Sequence, residues 1–260
     1  MRYFSQMKQD EVLDKYIFKG KENGYFVDVG AYDGETFSNS LFFEKYRNWR
    51  GICFEPIPSV YSKLKLNRPE TICINACVGS TVRSNVPFNW VNGPSEMLSG
   101  INTEYHRDHE VRISCENRSN GGKNQILSLP MTTLASIFEE EKIEHVDYLS
   151  IDTEGAELLV LKGINFKNVK IDVIDVEENY PSESLTIGNY LESVGYTRFH
   201  RIGVDSLYLH EDFRKRNPSL RIPPEPNLIM DNTHLTRKYM GKPRMIGRRY
   251  KRVRRRRRRI

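Results

Sequence analysis

Three acidic residues fall at or near the ends of apolar runs, and each is followed within three residues by a glycine or proline that turns the chain. Asp28 lies in Val27-Asp28-Val29-Gly30-Ala31-Tyr32-Asp33-Gly34. Glycines directly after a buried strand let the backbone approach a ligand held at the carboxyl ends of a parallel sheet. Gly30 and Gly34 meet that description, as they also meet that of a tight strand-to-helix turn. Asp28 would hold this loop or reach a ligand's ammonium through water. Glu55 ends the second run, 21 residues after Gly34. A carboxylate there faces a ribose and can accept from both hydroxyls. The third glycine of a G-x-G-x-x-G phosphate cradle is absent, which disfavours a dinucleotide. Asp152 ends Tyr148-Leu-Ser-Ile-Asp152 and would point into the same cleft. Glu154 and Glu157 follow at a helix start, where the dipole is sufficient reason for Glu157.

A ribose acid with a glycine loop and no phosphate cradle suits S-adenosylmethionine, and methyl transfer is the reaction it would serve. That reaction is an in-line displacement on a sulfonium, so much of the catalysis is alignment. A hydroxyl acceptor is a poor nucleophile at neutral pH and calls for a general base or a metal. Asp152 and Glu154 are the candidate bases, and Glu178 is a third catalytic candidate. Glu177, Glu178 and Asn179 end the fifth strand, and Asp152, Glu178 and Asn179 form a set similar to the magnesium site of catechol O-methyltransferases. Oxygen ligands of that kind would suit magnesium or manganese. The residues favour a simpler role for Glu178, contact with an acceptor hydroxyl or water, and metal dependence stays open. His106, His109 and His145 read as solvated or helix-associated; His200 could line an acceptor pocket. Tyr32 could cover the cofactor or the acceptor.

The elements that would position these residues alternate along the chain. Strands are expected over 25–30, 51–55, 71–78, 146–151, 169–177, 196–201 and 206–210. Helices are expected over 36–46, capped by Thr36, over 60–66, from Thr132 or Thr133 to 141, over 156–161 and over 184–194. This is an α/β pattern, a seven-stranded doubly wound Rossmann-like sheet closing in an antiparallel hairpin around Gly203-Val-Asp205. Residues 81–128 break the alternation and read as a β-rich insertion of a hairpin or two, with 117–124 an exposed loop. The expected domain is 1–210.

Several motifs, in order, resemble the FkbM-type methyltransferases. They are Ser5-Gln-Met-Lys-Gln9-Asp10, Val27 to Gly34, Phe54-Glu-Pro56, Asn75-Ala-Cys-Val-Gly79 and Ile151-Asp-Thr-Glu-Gly-Ala-Glu-Leu-Leu-Val-Leu-Lys-Gly163. The match spans roughly residues 5 to 210, and its last segment is the most specific. The resemblance implies a seven-stranded fold and S-adenosylmethionine as donor. It implies that Asp28, Gly30, Ala31 and Gly34 serve the cofactor's amino-acid side and Glu55 its ribose. Asn75, Ala76 and Cys77 would adjoin the adenine, with Asp152 and Glu154 near the transferred methyl. It also implies a sugar or glycoconjugate hydroxyl as acceptor, although 81–128, where specificity would sit, matches poorly.

Charge separates the body from the tail. Residues 237–260 hold 14 Lys and Arg and no acid, leaving 26 bases against 34 acids, net −8, in the rest. The body therefore offers no general phosphate track. Residues 211–260 are expected to be a Pro-containing, Arg-rich tail, disordered at its end, that contacts an anionic partner, nucleic acid or a membrane surface. A composition 38% hydrophobic and 11% aromatic can bury a core. No apolar run is long enough to span a bilayer and no signal-type segment opens the chain, so a cytoplasmic protein is expected, or a nuclear one if the tail is an address. Cys53, Cys73, Cys77 and Cys115 read as small buried hydrophobes. Two other functions compete: a nucleic-acid methyltransferase anchored by the tail, and a non-catalytic binding module on the same fold. Against the first, no Asn/Asp-Pro-Pro-aromatic motif follows the fourth strand; against the second, Asp28, Glu55 and Asp152 are all present.

Overall fold

The structure is a computed structural model that describes residues 1–223. It opens with α1 (Gln9–Val12), continued by a π-helical turn over Leu13–Ile17. β1 (Tyr25–Val29), α2 (Leu41–Arg47), β2 (Arg50–Phe54), α3 (Pro58–Asn67) and β3 (Ile72–Ile74) follow. The chain then leaves this layer and builds β4 (Cys77–Val78), β5 (Arg83–Asn92), β6 (Gly100–Ile101), α4 (Arg107–Asn120) and β7 (Lys123–Thr132). It returns through α5 (Leu134–Glu140), β8 (His145–Ile151), α6 (Glu157–Lys162), β9 (Lys170–Glu177) and α7 (Pro181–Ser193). β10 (Tyr196–Ile202), β11 (Asp205–His210) and α8 (Glu211–Arg216) complete it.

The main sheet has seven strands in the order β10-β11-β9-β8-β1-β2-β3. β9, β8, β1, β2 and β3 run parallel, and β11 inserts antiparallel between β9 and β10. β1, β8 and β9 are apolar along most of their length because both faces are covered, as a parallel sheet requires. Side chains alternate between the faces. Val27, Leu149 and Ile174 pack with Leu134, Val160, Leu161 and Leu191 of α5, α6 and α7. Phe26, Tyr148 and Val173 pack on the other side with Leu13, Phe42, Phe43 and Phe213. The expected doubly wound architecture is present.

Four local expectations change. The third strand, expected over 71–78, is cut in two: β3 stays in the main sheet, while β4 pairs with β7 in a second, four-stranded sheet of order β4-β7-β5-β6. The cut is made by Asn75, whose amide donates to the carbonyls of Glu55 (2.8 Å) and Pro56 (2.9 Å). Thr36 does not cap a helix; its N–H and hydroxyl both bond Asp33 at 2.7 Å, and α2 begins five residues later. The insertion carries a 14-residue helix, α4, as well as strands, and α4 runs through the first half of the stretch expected to be loop. Thr133 does cap α5, accepting from Ser136 N–H at 3.0 Å, while Thr132 ends β7. After residue 210 the chain stays packed, with Phe213 and Leu220 buried. The Arg-rich run lies outside the described residues.

The loop from β1 to α2 is tied down by a buried cation. Arg68, at the end of α3, is 0% exposed and pairs with Glu44 Oε2 at 2.5 Å. Its Nη1 reaches Gly34 O at 3.2 Å and Ser40 Oγ at 3.3 Å, and Ser40 Oγ donates to Asp28 Oδ2. A guanidinium suits this position because its fork of donors can serve several acceptors at once. Removing it takes from Glu44 its cation and from Ser40 the donor behind its bond to Asp28. Arg68→Met should therefore lose about 3–5 kcal/mol of stability in urea titration; a loss below about 1 kcal/mol would show that the network carries little.

Candidate active site

β1 and β8 are neighbours, but the chain moves outward from them in opposite directions, and such a reversal leaves a crevice at the carboxyl ends of the strands. Of the cofactor residues expected from the sequence, Asp28 lies within β1, Gly30, Ala31 and Gly34 on the loop after it, Glu55 directly after β2, Asn75 and Ala76 between β3 and β4, and Cys77 opens β4. Gly30 N–H and Ala31 N–H both donate to Phe54 O, at 3.1 and 3.0 Å, which ties the glycine loop to the end of β2. Gly30 has φ +92°, and a Cβ there would lie 1.8 Å from the backbone oxygen of Asp152. At Gly34, φ +79°, a Cβ would meet Leu64 and Arg68 side-chain atoms at 2.6 and 2.7 Å. Both glycines are thus demanded by the chain's own packing. Asp28 is 4% exposed beneath the loop and is held by Ser40, so the geometry gives it the loop-holding role.

Glu55 lies at the end of β2, 4% exposed, with Oε1 accepting the Ile57 N–H at 2.7 Å. Burial, with the charges of Glu96 and Asp33 adding to it, pushes its pKa up to about 8. Ala76 and Cys77 are buried close by, and the Cys77 thiol is pushed up to about 12 by burial and then by the Glu55 charge. Tyr32, at φ +50°, donates its hydroxyl to Glu96 Oε2 at 3.0 Å, and Trp90 Nε1 donates to the other oxygen at 2.9 Å. Tyr32 therefore fastens the glycine loop to the inserted sheet.

Across the crevice, Asp152, Glu154 and Glu177 each bring a carboxylate oxygen within 4.8 Å of the others. Asp152 is fixed by its own N–H, which donates to Val29 O at 3.0 Å. Glu154 stands at φ +55° in a turn braced by Glu157, whose Oε1 accepts from Thr153 N, Thr153 Oγ1 and Gly155 N, all at 3.0 Å. That bracing accounts for Glu157 structurally. Burial raises the pKa of all three cluster carboxyls, and neighbouring acids raise it further. Arg112, partly buried on α4, opposes the rise at Asp152 and Glu154. His109, on the same helix, is 1% exposed. Its Nε2–H donates to Leu98 O at 3.1 Å, and its Nδ1 faces Glu154 Oε2 at 3.4 Å.

The sequence reading named Glu178, and the structure corrects that. Glu178 is 0% exposed; Ser184, Ser206, Tyr208 and Arg198 all donate to its carboxylate. It locks the β10–β11 hairpin to α7 and has no free edge toward the crevice. Asn179 lines a separate hollow with Arg198 and Tyr208, and the acids that gather at Asp152 are Glu154 and Glu177. Glu177, one residue earlier, takes the place, because adjacent residues of an extended chain point to opposite sides. His109 was also missed as a site neighbour; the one signal was its place in a polar insertion. His106 caps α4 and stacks on Tyr180 with ring centroids 4.2 Å apart. His145 bonds Asp172 at 3.1 Å, and His200 sits on β10, the edge strand farthest from β1 on that side.

With this geometry in hand, the comparison with known proteins is direct. The methyltransferase FkbM domain matches residues 28–198. This chain belongs to the FkbM methyltransferase family. The matched region runs from Asp28 through Arg198 and so includes the glycine loop, Glu55, the insertion and the acid cluster. A solved FkbM methyltransferase from Methylobacillus flagellatus KT is similar over 74% of this chain, with 16% identity and a TM-score of 0.45; this chain spans 44% of that one. A proposed rRNA methylase from Clostridium thermocellum is similar over 80% of this chain and 97% of its own, with 9% identity and a TM-score of 0.40. No curated protein matches the chain. No helix among the described residues is long and apolar enough to cross a membrane.

The raised pKa of Glu55 has a consequence for stability. The unfolded chain releases this proton near the ordinary value of 4.5, the folded chain near 8. Between these values the folded state binds the extra proton, so the contribution of Glu55 to stability falls as pH rises through the window and levels off above it. In the protein without cofactor, Glu55→Gln should melt higher than wild type at pH 8, and the two should converge near pH 4.5. Parallel melting curves at all pH values would show that Glu55 is ionised in the fold.

Proposed function

We propose that the chain is an S-adenosylmethionine-dependent O-methyltransferase acting on a hydroxyl of a sugar or glycoconjugate. The observation that supports this reading is the glycine loop, which bonds the end of β2 beside Glu55 and packs on the backbone of Asp152 at the end of β8. Glu55 would accept from the ribose hydroxyls, a use that compensates a buried carboxylate for its lost hydration. Asn75, Ala76 and Cys77 would border the adenine. The loop from Asp28 through Gly30 and Ala31 to Gly34 would hold the amino-acid end. The donor carries a sulfonium and an ammonium, and a cleft walled by carboxylates concentrates cations.

Asp152 is the candidate proton acceptor and Glu154 its neighbour in the cluster. Asp152 is anchored through its backbone to β1, so its carboxylate is held by rigid elements, as a base acting in a single alignment needs to be. The acceptor would enter beneath the inserted sheet and α4, which bring Tyr105, His109 and Arg112 to the cluster side. The Arg-rich tail is assigned to an anionic partner, outside the transfer chemistry.

The test is transfer of a labelled methyl group from S-adenosylmethionine into separate pools of glycan and nucleic acid. Incorporation into the glycan pool is expected, and Asp152→Asn should lower kcat roughly 100-fold or more with little change in donor affinity. Incorporation into nucleic acid alone, lost when 237–260 is deleted, would replace the glycan reading with the tail-anchored one. Donor binding with no transfer to either pool would favour a binding module.

A further inference from the structure

Among the described residues, two clusters have the donor types to hold a metal: His145, Asp147 and Asp172 at the amino ends of the strands, and Asp152, Glu154 and Glu177 at the carboxyl ends. They differ in how their charge is met. In the first, Lys21 pairs with Asp147, Arg216 pairs with Asp172 at 2.6 Å, and His145 bonds Asp172. Its charges are already balanced by the protein. In the second, Glu154 Oε2 and Glu177 Oε2 are both buried without a hydrogen-bond partner. Buried carboxylate oxygens are rarely left so, because each forfeits its water for nothing.

A second observation points the same way. His109 Nε2 must be the protonated nitrogen, since the carbonyl of Leu98 can only accept. With Nε2–H given to Leu98, the neutral ring turns an Nδ1 lone pair the other way. That lone pair faces Glu154 Oε2 at 3.4 Å. With Glu154 ionised, two acceptors face each other there, an arrangement that a cation would relieve. Arg112 contributes charge from the same helix but leaves those two oxygens unbonded.

We propose that Asp152, Glu154 and Glu177 form a binding site for one divalent cation of the magnesium–manganese–calcium class, with His109 behind Glu154. Two oxygens on one such ion lie at most about twice the metal–oxygen distance apart, roughly 4.2 Å for magnesium and about 5 Å for calcium. The cluster, within 4.8 Å throughout, fits that span with little movement. Three carboxylates are hard oxygen donors, which suits manganese and disfavours thiol-seeking metals. The ligands come from the ends of β8 and β9 and the turn after β8, and His109 comes from the insertion. Cation binding would therefore tie the inserted layer to the main sheet. The proposal rests on the methyltransferase reading for its use, since a bound cation would orient and acidify an acceptor hydroxyl, but not for the binding itself.

The experiment uses the full chain, stripped with a chelator and then dialysed. Manganese is titrated in, free ion is followed by electron paramagnetic resonance, and S-adenosylmethionine binding is measured on the same samples by calorimetry. One manganese per chain is expected, with a dissociation constant on the order of 10 µM. Glu177→Gln and Glu154→Gln should each weaken it at least tenfold. Neither should lower the melting temperature of the metal-free protein, since each removes an unpartnered buried charge. Asp172→Asn should leave manganese binding unchanged. Wild type that binds S-adenosylmethionine but no manganese would overturn the metal site and leave the methyltransferase reading standing. Manganese binding that survives both Gln variants would also overturn it. Manganese bound at the cluster without S-adenosylmethionine binding would uphold the site and remove the proposed function.

Discussion

The carboxyl edge of the sheet depends on how closely two backbones approach. Gly30 leaves β1 and Asp152 leaves β8, and the Gly30 Cα sits where any Cβ would fall 1.8 Å from the Asp152 carbonyl oxygen. The Asp152 N–H meanwhile reaches back to Val29 O. This contact fixes the glycine loop relative to the acid cluster, and the bonds from Gly30 and Ala31 to Phe54 O extend the same fixation to Glu55. Three loops from three strands are thereby set to one another by backbone atoms, which leaves their side chains available. The glycine's permissive backbone is used for packing between strands as well as for access to a ligand.

Much of this was legible because it is local. Continuous apolar runs bounded by glycine, proline or an acid gave the parallel strands, and alternation with helices gave the doubly wound sheet. Glu55 and Asp152 could be placed because strand ends in such a sheet gather on one edge. What escaped depends on contacts distant in sequence. Arg68 looks like a surface cation after a helix, and only the folded chain shows it under the glycine loop. Glu177 and Glu178 differ by one position, and because neighbours on an extended chain face opposite ways, choosing between them exchanges a member of the acid cluster for a hairpin anchor. α4 was invisible because its polar sequence buries little beyond His109 and Ile113. Asn75 cut a strand that its apolar neighbours would have continued.

The buried acids form the electrostatic theme of the molecule. Asp28, Asp152, Asp175 and Asp205 are each held with a raised pKa by desolvation first, and the charges of other acids add to the rise at Asp152, Asp175 and Asp205. Clusters of this kind cost stability in an empty fold, and shifted carboxyls gather where function requires them. A cationic donor, and a cation at the acid cluster, are ligands that would recover that cost.

The central claim is that the Glu55 side of the crevice holds the ribose of S-adenosylmethionine. Isothermal calorimetry with wild type and Glu55→Ala tests it most directly. The account predicts binding at a single site, weakened by about 2 kcal/mol or more in the variant, as expected when a charged acceptor of two hydroxyls is removed. No binding by the folded wild type, or equal binding by both proteins, would contradict it.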